Sequence, residues 1–136
     1  MIGPVLVDSS VLLDVATDDA RWGEWSRDAL ARCADAAELA INPLVYAEVS
    51  VGFERIEQVE AFLPALAFRR LPLPYEAAFL AGKAFLAYRH RAGVRRSPLP
   101  DFYIGAHAAV SSLSLLTRDP ARIRAYFPSV KVIAPG

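Results

Sequence analysis

The sequence predicts an α/β fold with three layers, in which a central parallel β-sheet of about five short strands carries helices on both faces. Two observations lead to this prediction. Short apolar segments alternate along the chain with longer segments whose apolar residues recur at helical spacing. Several of the short segments are also followed by Ser, Asn or Asp, which commonly begin helices. Because 136 residues suit one hydrophobic core, we assign residues 1–136 to a single domain.

The first half of the chain contains two predicted strands, each followed by two helices. We predict strands at residues 4–7 and 39–41, and helices at residues 11–15, 22–36, 43–53 and 56–67. Asn42 and Pro43 mark the start of the third helix, with Asn42 as its N-cap and Pro43 in its first turn.

The second half continues the alternation. We predict strands at residues 68–71, 113–117 and 130–133, helices at residues 75–91 and 101–111, and a short helix after Asp119. A basic, turn-rich loop over residues 89–100 separates the two longer helices. Ligands of parallel sheets bind beyond the carboxyl ends of the strands. Asp8 and Asp119 follow the first and fourth strands, so both lie where a site is expected.

Composition narrows the functional classes. The net charge is zero, which argues against binding nucleic acid through bulk charge and leaves room for local basic patches. All 15 basic residues except Lys83 and Lys131 are arginine, which suits bidentate contacts with phosphate. No apolar run approaches the roughly 18–20 residues of a membrane span. The N-terminus lacks the features of a secretion signal, so we expect a cytoplasmic protein that does not associate with membranes.

Four acidic residues form the candidate site: Asp8, Glu48, Asp101 and Asp119. Asp8 and Asp119 follow strands, Asp101 begins a helix, and Glu48 lies in a helix among apolar neighbours. Carboxylates that converge repel one another unless a cation compensates, and oxygen ligands of this kind suit Mg²⁺ or Mn²⁺. Such an ion can activate water and stabilise charge on a phosphate during in-line displacement.

Each acid also has a structural alternative. Asp8, Asp101 and Asp119 stand where a helix N-cap is expected. Glu48 could be paired with an arginine. It is the hardest of the four to explain structurally, because an acid among apolar neighbours is costly unless it is paired or bound to metal. Position and spacing alone therefore leave both the metal site and the caps open.

Four segments of the chain resemble motifs of the PIN-domain family, and of VapC toxins in particular. The segments are residues 5–14, 41–49, 101–108 and 115–119. Each contains one of the four acids, and together they follow the family's order and spacing over nearly the whole chain. Ser9 stands where Thr is more common. Arg118 and Pro120 flank Asp119, where the family often has Asn or another acid nearby.

The resemblance implies a metal-dependent endoribonuclease that hydrolyses RNA with metal-activated water, acting as the toxin of a type II toxin–antitoxin pair. Carried over to the matching positions, it makes Asp8, Glu48 and Asp101 ligands of one or two Mg²⁺ or Mn²⁺ ions. Asp119 then binds metal directly or through water. All four acids are expected to be catalytic on this basis.

Further residues are expected to support the site or to bind RNA. The resemblance makes Ser10, and with it Thr117, supporting hydroxyls beside the acids. Arginines close to the acids are candidates for contacts with RNA phosphates. These arginines are Arg89, Arg91, Arg95, Arg96 and Arg118. For the loop arginines the alternative is a solvated helix end, where basic residues favour the helix dipole.

Protein partners are expected as well. The apolar fraction of 54% and the aromatic residues in the helices after the first two strands suggest a surface that contacts another chain. We expect a segment of the cognate antitoxin to dock on the helices that span residues 22–36 and 45–67, with a basic side chain directed at the acids. A homodimer is expected from the resemblance to the family.

Other conspicuous side chains are assigned structural roles. His107 is expected to be packed or hydrogen-bonded rather than to act as a base, and His90 to lie at the surface. The single cysteine, Cys33, is expected to be a small buried residue. Asp14 is expected to be a surface acid, with a role near Asp8 as the alternative.

Two other functions are alternatives to a nuclease. One is a catalytically inactive PIN-fold module that binds RNA or protein, and the intact set of acids argues against it. The other is a receiver-like phosphotransfer domain, which also uses an Asp after a parallel strand but needs a lysine at a fixed position. Lys83 lies in a predicted helix and Lys131 near the end of the chain, so the sequence disfavours this function.

Overall fold

The computed structural model describes residues 3–92 and 99–136, which contain one five-stranded sheet. The strands are β1 (Val5–Val7), β2 (Leu39–Ile41), β3 (Phe68–Arg70), β4 (Ser114–Leu116) and β5 (Val132–Ile133). All neighbouring strands are parallel, and their order across the sheet is β3-β2-β1-β4-β5. The predicted parallel α/β fold is therefore confirmed, with β1 at its centre.

Seven helices within the described residues connect the strands in the predicted order. They are α1 (Ser9–Ala16), α2 (Gly23–Ala36), α3 (Pro43–Ser50), α4 (Ile56–Phe62), α5 (Tyr75–Ala92), α6 (Leu99–Val110) and α7 (Ala121–Tyr126). None of them combines the length and the apolar composition needed to cross a membrane. The prediction that Asp101 begins a helix is wrong, because α6 starts two residues earlier. Pro100 is tolerated in its first turn, where a backbone N–H has no helical partner.

The hydrophobic core lies on both sides of the central strands. Every residue of β1 and β2 is buried, which requires helices on both faces of the sheet. Leu6 pairs in register with Ala40 on one side and with Leu115 on the other. A sheet buried on both faces explains why these strands are continuous apolar segments without alternation.

A buried polar pair ties α3 to α6. The Asn42 side chain accepts a hydrogen bond of 2.9 Å from the Val45 N–H, which confirms it as the N-cap of α3. Its Nδ2 atom also lies 3.0 Å from Nδ1 of His107 on α6. Burial lowers the pKa of His107, so the neutral imidazole accepts this bond. His107 is thus packed and hydrogen-bonded, as predicted.

Close packing joins α6 to α7. At Gly105 in α6 a side-chain carbon would collide with the ring of Phe127, which follows α7. Only glycine leaves room for this approach, and Ile123 of α7 also packs against the same position. The short helix α7 is thereby held beside the helix that carries Asp101.

Candidate functional site

The first acid, Asp8, lies at the centre of the sheet's carboxyl edge. It follows β1 directly, and its N–H donates to the carbonyl of Leu116 at 2.9 Å. The hydroxyls of Ser10 and Thr117 both donate to its Oδ2 atom, at 2.7 and 2.9 Å. β1 and β4 are neighbours in the sheet, so the residues after each strand meet here. The two hydroxyls fix the orientation of the Asp8 carboxylate.

Glu48 reaches the same edge from α3. Its side chain is half-buried, and its Oε1 atom accepts a hydrogen bond of 3.0 Å from the hydroxyl of Ser9. Burial raises the pKa of Glu48, and the negative charges of Asp8 and Asp101 raise it further, against the opposing effect of the Ser9 hydroxyl. Ser9, which holds Glu48, also lines the cleft that contains Asp8 and Asp101.

Asp101 lies in the first turn of α6 and is paired with an arginine. Burial is the main cause that raises the pKa of Asp101, and the charges of Asp8 and Asp119 add to it. The guanidinium of Arg122, on α7, has the opposite effect. It lowers the pKa of Asp101 through an ion pair and a hydrogen bond to Oδ2 of Asp101. The net direction is upward, so the local negative charge and burial outweigh the ion pair.

Asp119 is the most exposed of the four acids. Its N–H donates to the Thr117 hydroxyl at 3.1 Å, and the loop that holds it lies between β4 and α7. A small cleft of about 190 Å³ brings Asp119 together with Asp8 and Asp101. Ser10, Thr117 and Arg122 also line this cleft. Glu48 is connected to the cleft through Ser9, which lines it and donates its hydroxyl to Glu48.

The helix-cap alternatives find no support in the geometry. Asp8 stands at the N-cap position of α1, but its side chain makes no capping hydrogen bond. Asp101 lies inside α6, whose first residue is Leu99. The N-cap residue of α7 is Pro120, and no side chain caps that helix. The acids are instead directed toward hydroxyls, an arginine and one another.

The donor set fits a hard divalent cation in its chemistry. Over the ranges 3–92 and 99–136, no three Asp, Glu, His or Cys side chains already form a group that could hold a metal ion. Burial, and after it the negative charges of neighbouring acids, nevertheless raises the pKa of Glu48 and of Asp101, and a cation placed beside them would relieve this repulsion.

Some predicted RNA-binding arginines lie at the surface and others do not. Arg89 and Arg91 are exposed at the end of α5, where they stack over Phe85 and Tyr126. Arg95 and Arg96 lie outside the described residues. Arg118 is turned inward, because its Nε donates to Asp14 at 2.8 Å.

Asp14 is the main correction to the sequence prediction. It is buried, with only 3% of its surface exposed, rather than a surface acid. Its Oδ2 atom accepts hydrogen bonds of 2.8 Å from both Ser26 on α2 and Arg118. Burial lowers the pKa of the Arg118 guanidinium. The hydrogen bond to Asp14 and the charges of Asp119, Asp14 and Asp19 raise that pKa, and the net direction is upward. The spacing of Asp14 three residues after Val11, a buried position of the same helix, was the available signal.

Two site residues were missed by sequence reasoning. Ser9 carries the hydroxyl that holds Glu48, and Arg122 is the arginine that pairs with Asp101. In the sequence Arg122 is one of two arginines in a short helix, and nothing distinguishes it from Arg124. The predictions of a buried Cys33 and an exposed His90 are confirmed.

Comparisons with known proteins give a consistent result. The family model of the PIN domain matches residues 5–128. A comparison of the sequence with curated proteins gives no match. Among solved structures, a chain of VapBC2 from Rickettsia felis, bound to a promoter DNA fragment, is similar with a TM-score of 0.70 and 15% identity. The aligned region covers 96% of this chain and 98% of that chain.

Two further structures extend the similarity. A chain of a toxin–antitoxin complex from Klebsiella pneumoniae is 26% identical, with a TM-score of 0.65 over 97% of this chain and 98% of that one. A chain of FitAcB from Neisseria gonorrhoeae is 20% identical, with a TM-score of 0.65 over 95% and 96% of the two chains. Since the family match spans most of the sequence and includes all four acids, the chain belongs to the PIN domain family.

Proposed function

We propose that this protein is a metal-dependent endoribonuclease and the toxin of a type II toxin–antitoxin pair of the VapC type, acting in the cytoplasm. The observation that carries the proposal is the convergence of carboxylates from separate segments at one edge of the sheet. Asp8, Asp101 and Asp119 line one cleft, and Ser9 of the same cleft holds Glu48. Burial, and after it the neighbouring negative charges, raises the pKa of Glu48 and of Asp101. Such convergence has little structural benefit without a cation.

Each residue has a role in this proposal. Asp8, Glu48 and Asp101 would hold Mg²⁺ or Mn²⁺, with Asp119 binding it directly or through water. The ion would supply the charge that activates water and stabilises the scissile phosphate. The Ser10 and Thr117 hydroxyls orient Asp8 through its Oδ2 atom, and Ser9 orients Glu48. Fixed carboxylates reduce the rearrangement needed when the site is loaded.

Removal of metal tests the reaction directly. Protein treated with chelator should leave RNA intact, and addition of Mg²⁺ or Mn²⁺ should restore cleavage. Cleavage that continues unchanged in chelator contradicts the metal-dependent reaction. RNA binding without cleavage under every metal condition favours the alternative, an inactive PIN-fold binding module.

We also propose that exposed arginines contact RNA. Arg89 and Arg91 are exposed at the end of α5, and Arg95 and Arg96, which follow in the sequence, lie outside the described residues. Arg118 is less suited to this role, because Asp14 already binds its guanidinium. Binding of RNA by Arg89 and Arg91 should weaken as the salt concentration rises.

An antitoxin is the proposed partner, as in the toxin–antitoxin complex of similar fold from Klebsiella pneumoniae. An apolar groove of about 850 Å³ lies beside α3, α4 and β3. Ile56 at its edge is 64% exposed, and Glu57 and Glu60 also line it. These three residues lie within the predicted docking region 45–67. Ile56 and Glu57 suit a segment that is apolar with a basic side chain, whereas Glu60 is already paired with Arg70 at 2.8 Å.

Expression of the chain alone should arrest growth, and co-expression with its antitoxin should restore growth. Harmless expression with intact acids contradicts the toxin role and leaves the nuclease reaction open.

A homodimer is also proposed. Tyr75, Phe79 and Leu86 are exposed on α5 at spacings that place them on one helix face. An apolar stripe of this kind suits contact with a second copy. The molar mass of the purified protein in solution tests this, and a monomer at high micromolar concentration contradicts it.

A further inference from the structure

The ion pair between Arg122 and Asp101 lies inside the cleft that holds the acids. Asp8, Asp119 and Arg122 line this cleft together with Asp101. The guanidinium binds Oδ2 of Asp101, and the arginine side chain remains 35% exposed. A positive group therefore already occupies part of the space in which a divalent cation would meet these carboxylates.

Arg122 also has a second set of contacts that do not depend on Asp101. Its guanidinium lies 5.3 Å from the ring centroid of Tyr88 and 6.0 Å from that of Phe102. Aromatic faces stabilise a nearby cation even where a carboxylate is absent. The side chain can leave Asp101 and remain beside the cleft at low cost.

From this geometry we propose that Arg122 is an internal counter-ion of the acid cluster, which pairs with Asp101 before a divalent cation binds and must release that carboxylate when the cation enters. This role rests on the proposed function. Two cations that need the same carboxylate compete, so the arginine lowers the affinity of the free protein for metal while it stabilises the metal-free fold.

Titration of metal alone into RNA-free protein tests this role. MgCl₂ or MnCl₂ is titrated calorimetrically into the wild type, Arg122→Gln and Arg124→Gln. Arg124 is the matched control because it is an exposed arginine two positions along the same helix. We expect Arg122→Gln to bind the ion about 3- to 10-fold more tightly than the wild type, and Arg124→Gln to stay within about twofold.

Thermal unfolding provides the second measurement. In chelator, Arg122→Gln should unfold at a lower temperature than the wild type, because the carboxylates lose their counter-ion. At saturating Mn²⁺ that difference should shrink or vanish. Arg122→Met keeps the packing against the aromatic rings and should show the same tighter binding of metal. It is the control that distinguishes loss of the charge from a general folding defect.

The outcomes separate this role from the proposed function. If the wild type binds metal and both Arg122 variants bind it equally or more weakly, the counter-ion role is wrong and the nuclease proposal stands. An equal increase in metal affinity in Arg124→Gln would also overturn the counter-ion role, because the effect would then reflect net charge alone. If the wild type binds neither Mg²⁺ nor Mn²⁺, the proposed function fails together with this role.

Discussion

Two aspartate–arginine pairs flank the same loop after β4, and they differ in burial. The Asp14 side chain is 4% exposed and that of Arg118 is 26% exposed, whereas the Asp101 and Arg122 side chains are 49% and 35% exposed. Asp14 is also bound by Ser26, while Asp101 faces other acids. The two pairs thus consist of the same residue types, but they differ in burial and in the number of their hydrogen-bond partners.

The difference explains which pair can open. Separating Arg118 from Asp14 would leave a charge without a partner in a largely buried place, which costs far more than the pair itself contributes. Separating Arg122 from Asp101 leaves both groups in contact with solvent. The first pair therefore fixes α1, α2 and the loop after β4, and the second is available to ligands.

The largest effect should come from the open pair. Asp101→Asn keeps the shape of the side chain and removes one proposed ligand, so we expect RNA cleavage to fall by about 100-fold or more. The thermal midpoint in chelator should hold or rise, since one charge leaves a repulsive cluster. Asp8→Asn should behave in the same way. A variant that unfolds, or that cleaves as the wild type does, would show that its acid is structural.

The buried pair should affect stability instead. Asp14→Asn removes the charge that compensates Arg118, and we expect the free energy of unfolding to fall by about 2–4 kcal/mol. Urea denaturation measures this change in the free energy of unfolding. Asp18→Asn is the matched control, because Asp18 is 83% exposed in its ion pair with Arg27 and should change stability by less than about 1 kcal/mol. Equal stability of the two variants would contradict the distinction between the pairs.

The smallest effect concerns pH. The pKa of Glu48 is raised in the folded protein, so the folded state holds its proton more strongly than the unfolded chain does. Without metal, the contribution of Glu48 to stability should be fully present below the ordinary glutamate pKa and should be lost as pH rises through the raised value. Glu48→Gln should flatten part of this fall when thermal midpoints are measured in chelator between about pH 4 and 7. Parallel profiles for the two proteins would exclude a contribution from Glu48.

Local sequence predicted the fold because each element carries its own signal. Short apolar segments predicted the strands, although β3 is Phe-Arg-Arg and β5 has only two residues. Asn42 with Pro43 predicted the start of α3. The ends of the helices were predicted less accurately. We predicted that α4 extends to residue 67, but it ends at Phe62, before Pro64. A proline restricts the residue before it to extended conformations, which shortens the helix.

The ends of strands predicted part of the candidate site, whereas Glu48 and Asp101, which lie on helices, were assigned to it from the resemblance to the PIN-domain family. Asp8 follows β1, and Thr117, whose hydroxyl binds it, follows the neighbouring strand β4. The burial of Asp14 depends on Arg118, which lies 104 positions away in the sequence, and no local pattern contains that contact. Arg122 is similar, because its partner becomes a neighbour only after Gly105 allows α6 and α7 to pack closely.

The position of β1 between β2 and β4 has a consequence for the timing of synthesis. Asp8 precedes its partner Thr117 by 109 positions in the sequence. A chain still emerging from the ribosome without β4 has an open edge on its central strand and an Asp8 that lacks this hydroxyl. Pairing at the second edge of β1 and completion of the acidic cleft both require β4 and the loop that follows it to Asp119. The candidate site is therefore incomplete in a nascent chain that has not yet reached these residues.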